Sequence, residues 1–233
     1  MEAIILAGGF GTRLQPMVRD IPKSMASINK RPFLEYQLDY LISQDIRRVV
    51  LSVGYRREVI MRHFENRYRS VEIDYAVEEE PLGTGGGIRL SFFKVKSSWA
   101  FVLNGDSIFR IGLKALLDFH QLKKSDITIA LRKLRNTGRF GRVTMNRNRR
   151  LTGFTEKDPA AGSGLINSGV YVIEKKFLMD PGFRGAFSIE RDCFEKFYPD
   201  SRFFGYPAEG YFLDIGIPED YKKAQDEFKE FGN

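Results

Sequence analysis

Cysteine occurs once in the 233 residues, at Cys193. A single thiol excludes an internal disulfide. No Cys or His stands near it at metal-ligand spacing, so a buried, inert side chain is expected. Long apolar runs are missing: none approaches the ~20 residues needed to span a bilayer. The N-terminus lacks a charged stretch followed by an apolar one, so no secretory leader is expected. Internal repeats, low-complexity tracts and long linkers are absent. These gaps predict a cytoplasmic protein built as one domain over residues 1–233. Acidic residues fall short of basic ones, leaving a net charge of +7, which favours anionic partners. The excess is spread out, with small clusters at Arg132-Lys133-Arg135 and Arg147-Arg149-Arg150. Without a basic tail or an RNP-type motif, no nucleic acid is expected, and no membrane partner either. Phosphorylated small molecules remain.

What is present gathers at the start. Ala3 to Ala7 is an apolar run fit for a buried strand, and it breaks into Gly8-Gly9-Phe10-Gly11-Thr12-Arg13. A glycine turn straight after a buried strand lets backbone N–H groups converge on an anion with no Cβ in the way. Arg13 adds a fixed positive charge and Lys23 a second. Together they read as a phosphate site. Two stock motifs do not fit. The pattern G-x-G-x-x-G, aligned on Gly9 and Gly11, puts Leu14 where its third glycine belongs. The P-loop ending Gly-Lys-Ser/Thr is absent. A bare GGxG serves equally well as a structural turn, so its specificity must come from residues further along the chain.

Beyond the loop, strand and helix patterns alternate. Pro32 opens a helix whose apolar face runs through Phe33, Leu34, Tyr36, Gln37, Leu38, Tyr40 and Leu41. Arg48 to Val53 reads as a strand, Arg57 to Tyr68 as a helix, Val71 to Val77 as a strand. Gly83 to Val95 reads as a helix, Ala100 to Leu103 as a strand, Leu113 to Leu122 as a helix and Ile127 to Leu131 as a strand. This predicts an α/β fold with a mostly parallel sheet and helices on both faces. Ligands in such sheets bind at the carboxyl ends of the strands. Gly8–Arg13 and Asn104–Asp106 both follow strands, so they should share one edge. From about Gly138 the pattern turns to strands in short succession: Gly141 to Met145, Arg150 to Phe154 and Gly169 to Ile173, with a turn at Asn146-Arg147-Asn148. Ser188 begins a short helix, Phe203-Phe204 and Tyr211 to Leu213 read as strands, and Pro218 to Phe231 as a closing helix. A smaller α+β portion, from about residue 136, thus folds over the edge of the part before it.

Several stretches carry chemistry. Glu80-Pro81-Leu82-Gly83-Thr84-Gly85-Gly86-Gly87 is a second glycine-rich turn, able to meet a flat base or a ribose at close range. Three glycines in a helix start cost roughly 1 kcal/mol each relative to Ala, which argues against a purely structural role. Asn104-Gly105-Asp106 and Leu213-Asp214-Ile215-Gly216 each place a carboxylate after a strand. Either alone is an ordinary turn residue; together Asp106 and Asp214 suit Mg²⁺, which takes one or two carboxylates plus phosphate oxygens. Glu156-Lys157 follows another strand, and Lys157 suits a second phosphate.

With these motifs assembled, the chain resembles the sugar-1-phosphate nucleotidyltransferases. The resemblance rests on Gly8-Gly9-Phe10-Gly11-Thr12-Arg13-Leu14-Gln15-Pro16 with Pro22-Lys23, then Pro81-Leu82-Gly83-Thr84-Gly85-Gly86, Asn104-Gly105-Asp106, Glu156-Lys157, Asn167-Ser168-Gly169 and Leu213-Asp214-Ile215-Gly216, all in the family's order. It covers Met1 to about Tyr221. It implies a Rossmann-like nucleotidyltransferase fold, with a nucleotide-binding part to about residue 135 and a sugar-binding, closing part after it. It also implies that a sugar 1-phosphate and an NTP give an NDP-sugar and pyrophosphate, with Mg²⁺ as cofactor. The nucleotide would lie against Leu6, Ala7, Gly8, Gly9, Gly11, Thr12, Arg13, Lys23, Glu80, Pro81, Gly83, Thr84 and Gly105. Asn104, Glu156, Lys157, Asn167 and Gly169 would take the sugar phosphate, and Asp106 and Asp214 the metal. Arg13, Lys23, Asp106 and Lys157 would be catalytic. The strings LINSGVYV, GYFLDIGIPEDY and PLGTGG most resemble the guanylyltransferases that use GTP and D-glycero-α-D-manno-heptose 1-phosphate. Mannose-1-phosphate guanylyltransferases and amino-sugar uridylyltransferases are the alternatives, and a nucleotide-sugar sensor on the same fold is the non-enzyme one. Glu78, Glu79 and Glu80 all remain open as base readers. One departure is Glu156-Lys157-Asp158-Pro159, where the family often has Glu-Lys-Pro. The oligomeric state is left open, a homo-oligomer included.

Overall fold

The structure, a computed structural model, describes residues 1–9, 20–155 and 162–229. The first half runs β1 (Glu2–Leu6), a single 3-10 turn at Lys23–Met25, a small hairpin of β2 (Ser27–Ile28) and β3 (Arg31–Pro32), then α1 (Phe33–Ser43) and β4 (Arg48–Val53). Next come α2 (Arg57–Phe64), β5 (Arg67–Tyr68), β6 (Val71–Val77), α3 (Gly83–Phe92), β7 (Trp99–Asn104), β8 (Ser107–Phe109), α4 (Leu113–Lys123) and β9 (Ile127–Leu134). The second half adds β10 (Arg142–Met145), β11 (Leu151–Thr155), β12 (Gly164–Glu174), α5 (Lys175–Leu178), a π-helical stretch Ile189–Phe194, α6 (Glu195–Phe197), β13 (Phe203–Pro207), β14 (Phe212–Asp214) and α7 (Pro218–Glu227).

The alternation places these elements well, and the ends have local causes. Pro32 lies just before α1 rather than inside it. α2 stops at Phe64, short of the expected Tyr68, because Glu65 takes a left-handed φ of 49° and Arg67–Tyr68 turns back onto β6. Ser188 caps the π-helical stretch, its hydroxyl accepting the Arg191 N–H at 3.2 Å. α7 has Pro218 in its first turn; the last residues of the expected helix, from 230, lie outside the described residues.

Strands β6, β4, β1 and β7 lie side by side and parallel. Their alternating residues feed two cores. Ala3 and Ile5 face one with Leu34, Leu38 and Leu116, while Ile4, Val50 and Val102 face the other with Ile88, Phe92 and Phe194. Cys193 sits in the second core with no exposure, and burial pushes its thiol far above its usual range, as an inert side chain requires.

β12 is longer than the expected Gly169 to Ile173. Its C-terminal half lies antiparallel between β7 and β9, and its N-terminal half pairs with β10 on one side and β9 on the other. The register breaks between Asn167 and Tyr171. This one strand therefore belongs to the main sheet at one end. At the other it supports the β10–β11 hairpin, past the carboxyl end of β7.

A buried histidine gives this fold a testable acid response. His120 on α4 is 1% exposed, with ring nitrogens 2.9 Å from the Thr128 hydroxyl and 3.5 Å from a Glu174 carboxylate oxygen. Burial pushes its pKa down to about 4, and pushes that of Glu174 up, so both favour their neutral forms. Between pH 6.5 and 4 the unfolded chain binds a proton at this histidine that the native state does not. Stability is therefore lost as pH falls through that window, by roughly 3 kcal/mol if the whole shift is realised. Urea unfolding at pH 7 and pH 4.5 should show His120→Gln losing about 2 kcal/mol less than wild type across the same step. Equal losses would show that His120 does not titrate in this way.

Candidate active site

The carboxyl edge of the parallel strands is tied together by backbone. Leu6 at the end of β1 stands opposite Asn104 at the end of β7. The Gly105 N–H then donates to the Leu6 carbonyl at 3.0 Å. A Cβ on Gly105 would lie 2.3 Å from that oxygen, so only glycine permits this approach. Gly8, Gly9 and Asn104–Asp106 therefore share one edge, as expected. Between them lies a cavity of about 260 Å³, lined in part by Ala7, Gly9, Lys23, Asn104 and Asp106.

Two carboxylates meet on a small ribbon beside it. Asp106 immediately precedes β8 and Asp214 ends β14; the strands are antiparallel, with Asp214 opposite Ser107. The Ile215 N–H donates to the Asp106 carbonyl at 2.9 Å. Lys23, only 9% exposed, sets its Nζ 2.6 Å from Asp106 Oδ2 and 3.9 Å from Asp214 Oδ1. One ammonium is thus shared by two acids. Burial, and then the Asp106 charge, push the Asp214 pKa up to about 6 against the pull of Lys23. Crowded negative charge of this kind fits a divalent cation. Among the described residues no cluster of three or more His, Cys, Asp or Glu is formed. The protein offers two carboxylates, leaving further positions to phosphate oxygens and water, the pattern usual for Mg²⁺. Asn104 Oδ1 is buried nearby without a hydrogen-bond partner among the described residues.

A second cavity, about 440 Å³, adjoins the first across Leu6, Gly9 and Thr84. The three glutamates left open by the sequence separate here. Glu78 is occupied: its carboxylate accepts from the Ser52 hydroxyl at 2.8 Å and the Leu82 N–H at 3.0 Å. Glu79 pairs with Arg57 at 3.0 Å. All three line the cavity, with Pro81, Gly83 and Thr84, and Glu80 has no ion pair among the described residues.

The glycine-rich start of α3 has a packing reason that the sequence does not reveal. The Gly85 N–H donates to the Phe187 carbonyl at 2.9 Å, and a Cβ on Gly85 would fall 2.1 Å from the Phe187 ring. Thr84 donates its hydroxyl to Glu190 at 2.8 Å and accepts the Ile189 N–H at 2.9 Å. Structural packing thus carries more of this motif than its glycine count suggests. No local pattern marks Phe187 and Glu190 in the sequence; they become visible only where the second half of the chain lies on α3.

The other expected residues divide. Gly169 lies against Asn104, where a Cβ would come 2.7 Å from Asn104 Nδ2. The Asn167 side chain is engaged inside the β12 irregularity: Nδ2 donates to the Tyr171 hydroxyl at 2.9 Å and Oδ1 accepts the Gly169 N–H at 3.0 Å. Gly11, Thr12, Arg13, Glu156 and Lys157 lie outside the described residues.

Known proteins match this chain over nearly all its length. A match to the family described as Nucleotidyl transferase covers residues 2–230. The chain is 42% identical to the D-glycero-alpha-D-manno-heptose 1-phosphate guanylyltransferase of Aneurinibacillus thermoaerophilus, over 99% of this chain and 100% of that one. It is 41% identical to the protein of the same name from Campylobacter jejuni, over 95% of this chain and 97% of that one. The crystal structure of HddC from Yersinia pseudotuberculosis complexed with GMP-PN superposes with a TM-score of 0.86 at 36% identity, covering 97% of this chain and 99% of that one.

Proposed function

The chain belongs to the nucleotidyl transferase family, and on that footing we propose that it transfers the guanylyl group of GTP to D-glycero-α-D-manno-heptose 1-phosphate. The observation that carries this reading is the Asp106–Asp214 pair, gathered around Lys23 beside the cavity that Gly9 lines. The full-length likeness to two heptose 1-phosphate guanylyltransferases supports the choice of sugar and base. An oxygen of the sugar phosphate attacks the α-phosphorus in line. The bond from that phosphorus to the bridging oxygen breaks, and pyrophosphate leaves. No covalent enzyme intermediate is needed, so the work of the protein is positioning and charge neutralisation.

Each residue has a part in this proposal. Asp106 and Asp214 would hold Mg²⁺, which supplies Lewis acidity and charge neutralisation at the phosphates when bound. Lys23 and Arg13 bring positive charge to the triphosphate. Lys157 holds the sugar's phosphate and so reduces repulsion between two anions. Asn104 offers its unsatisfied buried oxygen to a sugar hydroxyl, and Glu156 and Asn167 stand beside the sugar. Glu80 is the base reader: a carboxylate accepts from both N1–H and the N2 amine of guanine, and adenine presents neither pattern. The backbone of Gly8, Gly9 and Gly83 lies alongside the nucleotide.

Among the described residues, no helix is long and apolar enough to cross a membrane. The reaction is proposed for the cytoplasm, where it would supply an activated sugar for surface polysaccharide. The test is pyrophosphate release with Mg²⁺, crossing five nucleoside triphosphates with heptose, mannose, glucose and N-acetylglucosamine 1-phosphates. GTP with the heptose phosphate should give the highest kcat/KM. A different preferred pair would overturn the substrate assignment, and silence across the grid would overturn the enzyme reading.

A further inference from the structure

Gln37 lies in the apolar stripe of α1 and has no exposed surface. A buried amide is costly unless it is hydrogen-bonded. Its Nε2 donates twice, to the carbonyl of Asn104 at 2.8 Å and to that of Ser107 at 2.7 Å. Those two carbonyls bracket Gly105-Asp106. Oε1 has no partner among the described residues, and a flipped amide would set it against two carbonyl oxygens, so the orientation is fixed.

The same face of α1 continues the pattern further along the segment. Tyr40 donates its hydroxyl to the Ile111 carbonyl at 2.8 Å and accepts the Ile111 N–H at 3.2 Å. Gln44 accepts the Leu113 N–H at 3.0 Å. Positions 37, 40 and 44 follow helical spacing, so α1 splints residues 104–113 by side chain to backbone. Gln37 alone acts where the carboxylates are. It grips both ends of the turn that carries Asp106, and one of its partners, Ser107, is the residue opposite Asp214.

We propose that Gln37 is a positioning residue for the reaction: its amide sets the placement of Asp106 relative to Asp214, and so their joint hold on a divalent cation. The proposal rests on the reading of Asp106 and Asp214 as the metal-holding pair. Partners that orient metal ligands without touching the metal are worth about 10–100-fold in affinity or rate.

The test compares Gln37→Met, similar in length but without donors, with Tyr40→Phe, which removes two bonds of the same splint farther from the carboxylates. Gln37→Met should weaken Mn²⁺ binding to the substrate-free protein about tenfold, read from the electron paramagnetic resonance of free Mn²⁺. It should lower kcat by about 30-fold and leave the KM for GTP within about twofold. Tyr40→Phe should lower the melting temperature while leaving Mn²⁺ affinity and kcat within about twofold. If Gln37→Met does not fold, Gln37→Asn decides, since its shorter amide cannot reach both carbonyls. Wild-type Mn²⁺ affinity in a folded Gln37 variant would overturn the proposal, as would equal losses in Tyr40→Phe. If wild type makes no pyrophosphate from any substrate pair, the functional reading fails, but the Mn²⁺ comparison still decides the role of Gln37.

Discussion

Asp106→Asn should lower kcat by about a thousandfold, or ~4 kcal/mol of transition-state stabilisation, with little change in melting temperature. Asparagine keeps the shape and one acceptor of aspartate, so the turn held by the Asn104, Ser107 and Ile215 backbone contacts should persist. What it removes is a charge. Among the described residues, Lys23 would keep Asp214, at 3.9 Å, as its one acidic partner. Asp214 would lose the neighbour that helps raise its pKa, and would ionise at lower pH than in wild type. A single carboxylate holds a divalent cation less tightly than two. Pyrophosphate release at saturating GTP, with a thermal melt of the same sample, checks both halves. A variant with near wild-type turnover would remove Asp106 from the metal pair.

The second large effect is on stability. Gly105→Ala should destabilise the protein by about 3 kcal/mol, because its Cβ would lie 2.3 Å from the Leu6 carbonyl oxygen and backbone on both strands would have to move. For a chain of this length that is roughly a 6–12 °C fall in melting temperature. The displaced backbone includes Leu6 and Asp106, so activity should fall with it. Gly9→Ala is the matched control: a Cβ there meets nothing within 4 Å among the described residues. Calorimetry should find the Gly9 variant within about 2 °C of wild type. An equally stable Gly105 variant would mean that the β1 and β7 ends are looser than their contact implies.

Much of the first half is visible in the sequence because its signals are local. Buried apolar runs such as Ala3–Ile5 and Val49–Leu51 mark strands, and amphipathic stretches such as 33–43 mark helices. Strand ends then place Gly8 and Asp106 on one edge without any tertiary information. The second half resists because its pairings are distant. The strand expected at Tyr211 to Leu213 is there as β14, but its partner β8, only three residues long, carries too few residues for a pattern and exists because the two pair. β12 pairs differently along its length, so its first four residues carry no simple alternation. Gln37 does carry a signal: an amide inside an otherwise apolar helical face is a group that needs partners, although the sequence does not say which. Adjacent residues do not distinguish Glu78, Glu79 and Glu80, because the partners of two of them, Ser52 and Arg57, stand on other elements.

The β8–β14 ribbon also sets an order of events during synthesis. Asp106 and Asp214 are about a hundred residues apart, and ribosomes add roughly 5–20 residues per second. For about 5–20 seconds the nascent chain carries its glycine loop and first carboxylate while β8 waits for its partner strand, and for roughly two-thirds of that time β7 waits for β12. A growing chain in that interval exposes the open edge of β7, a template for pairing with other chains. The acidic pair is completed last: β12 covers the edge of β7 about forty residues before Asp214 is added.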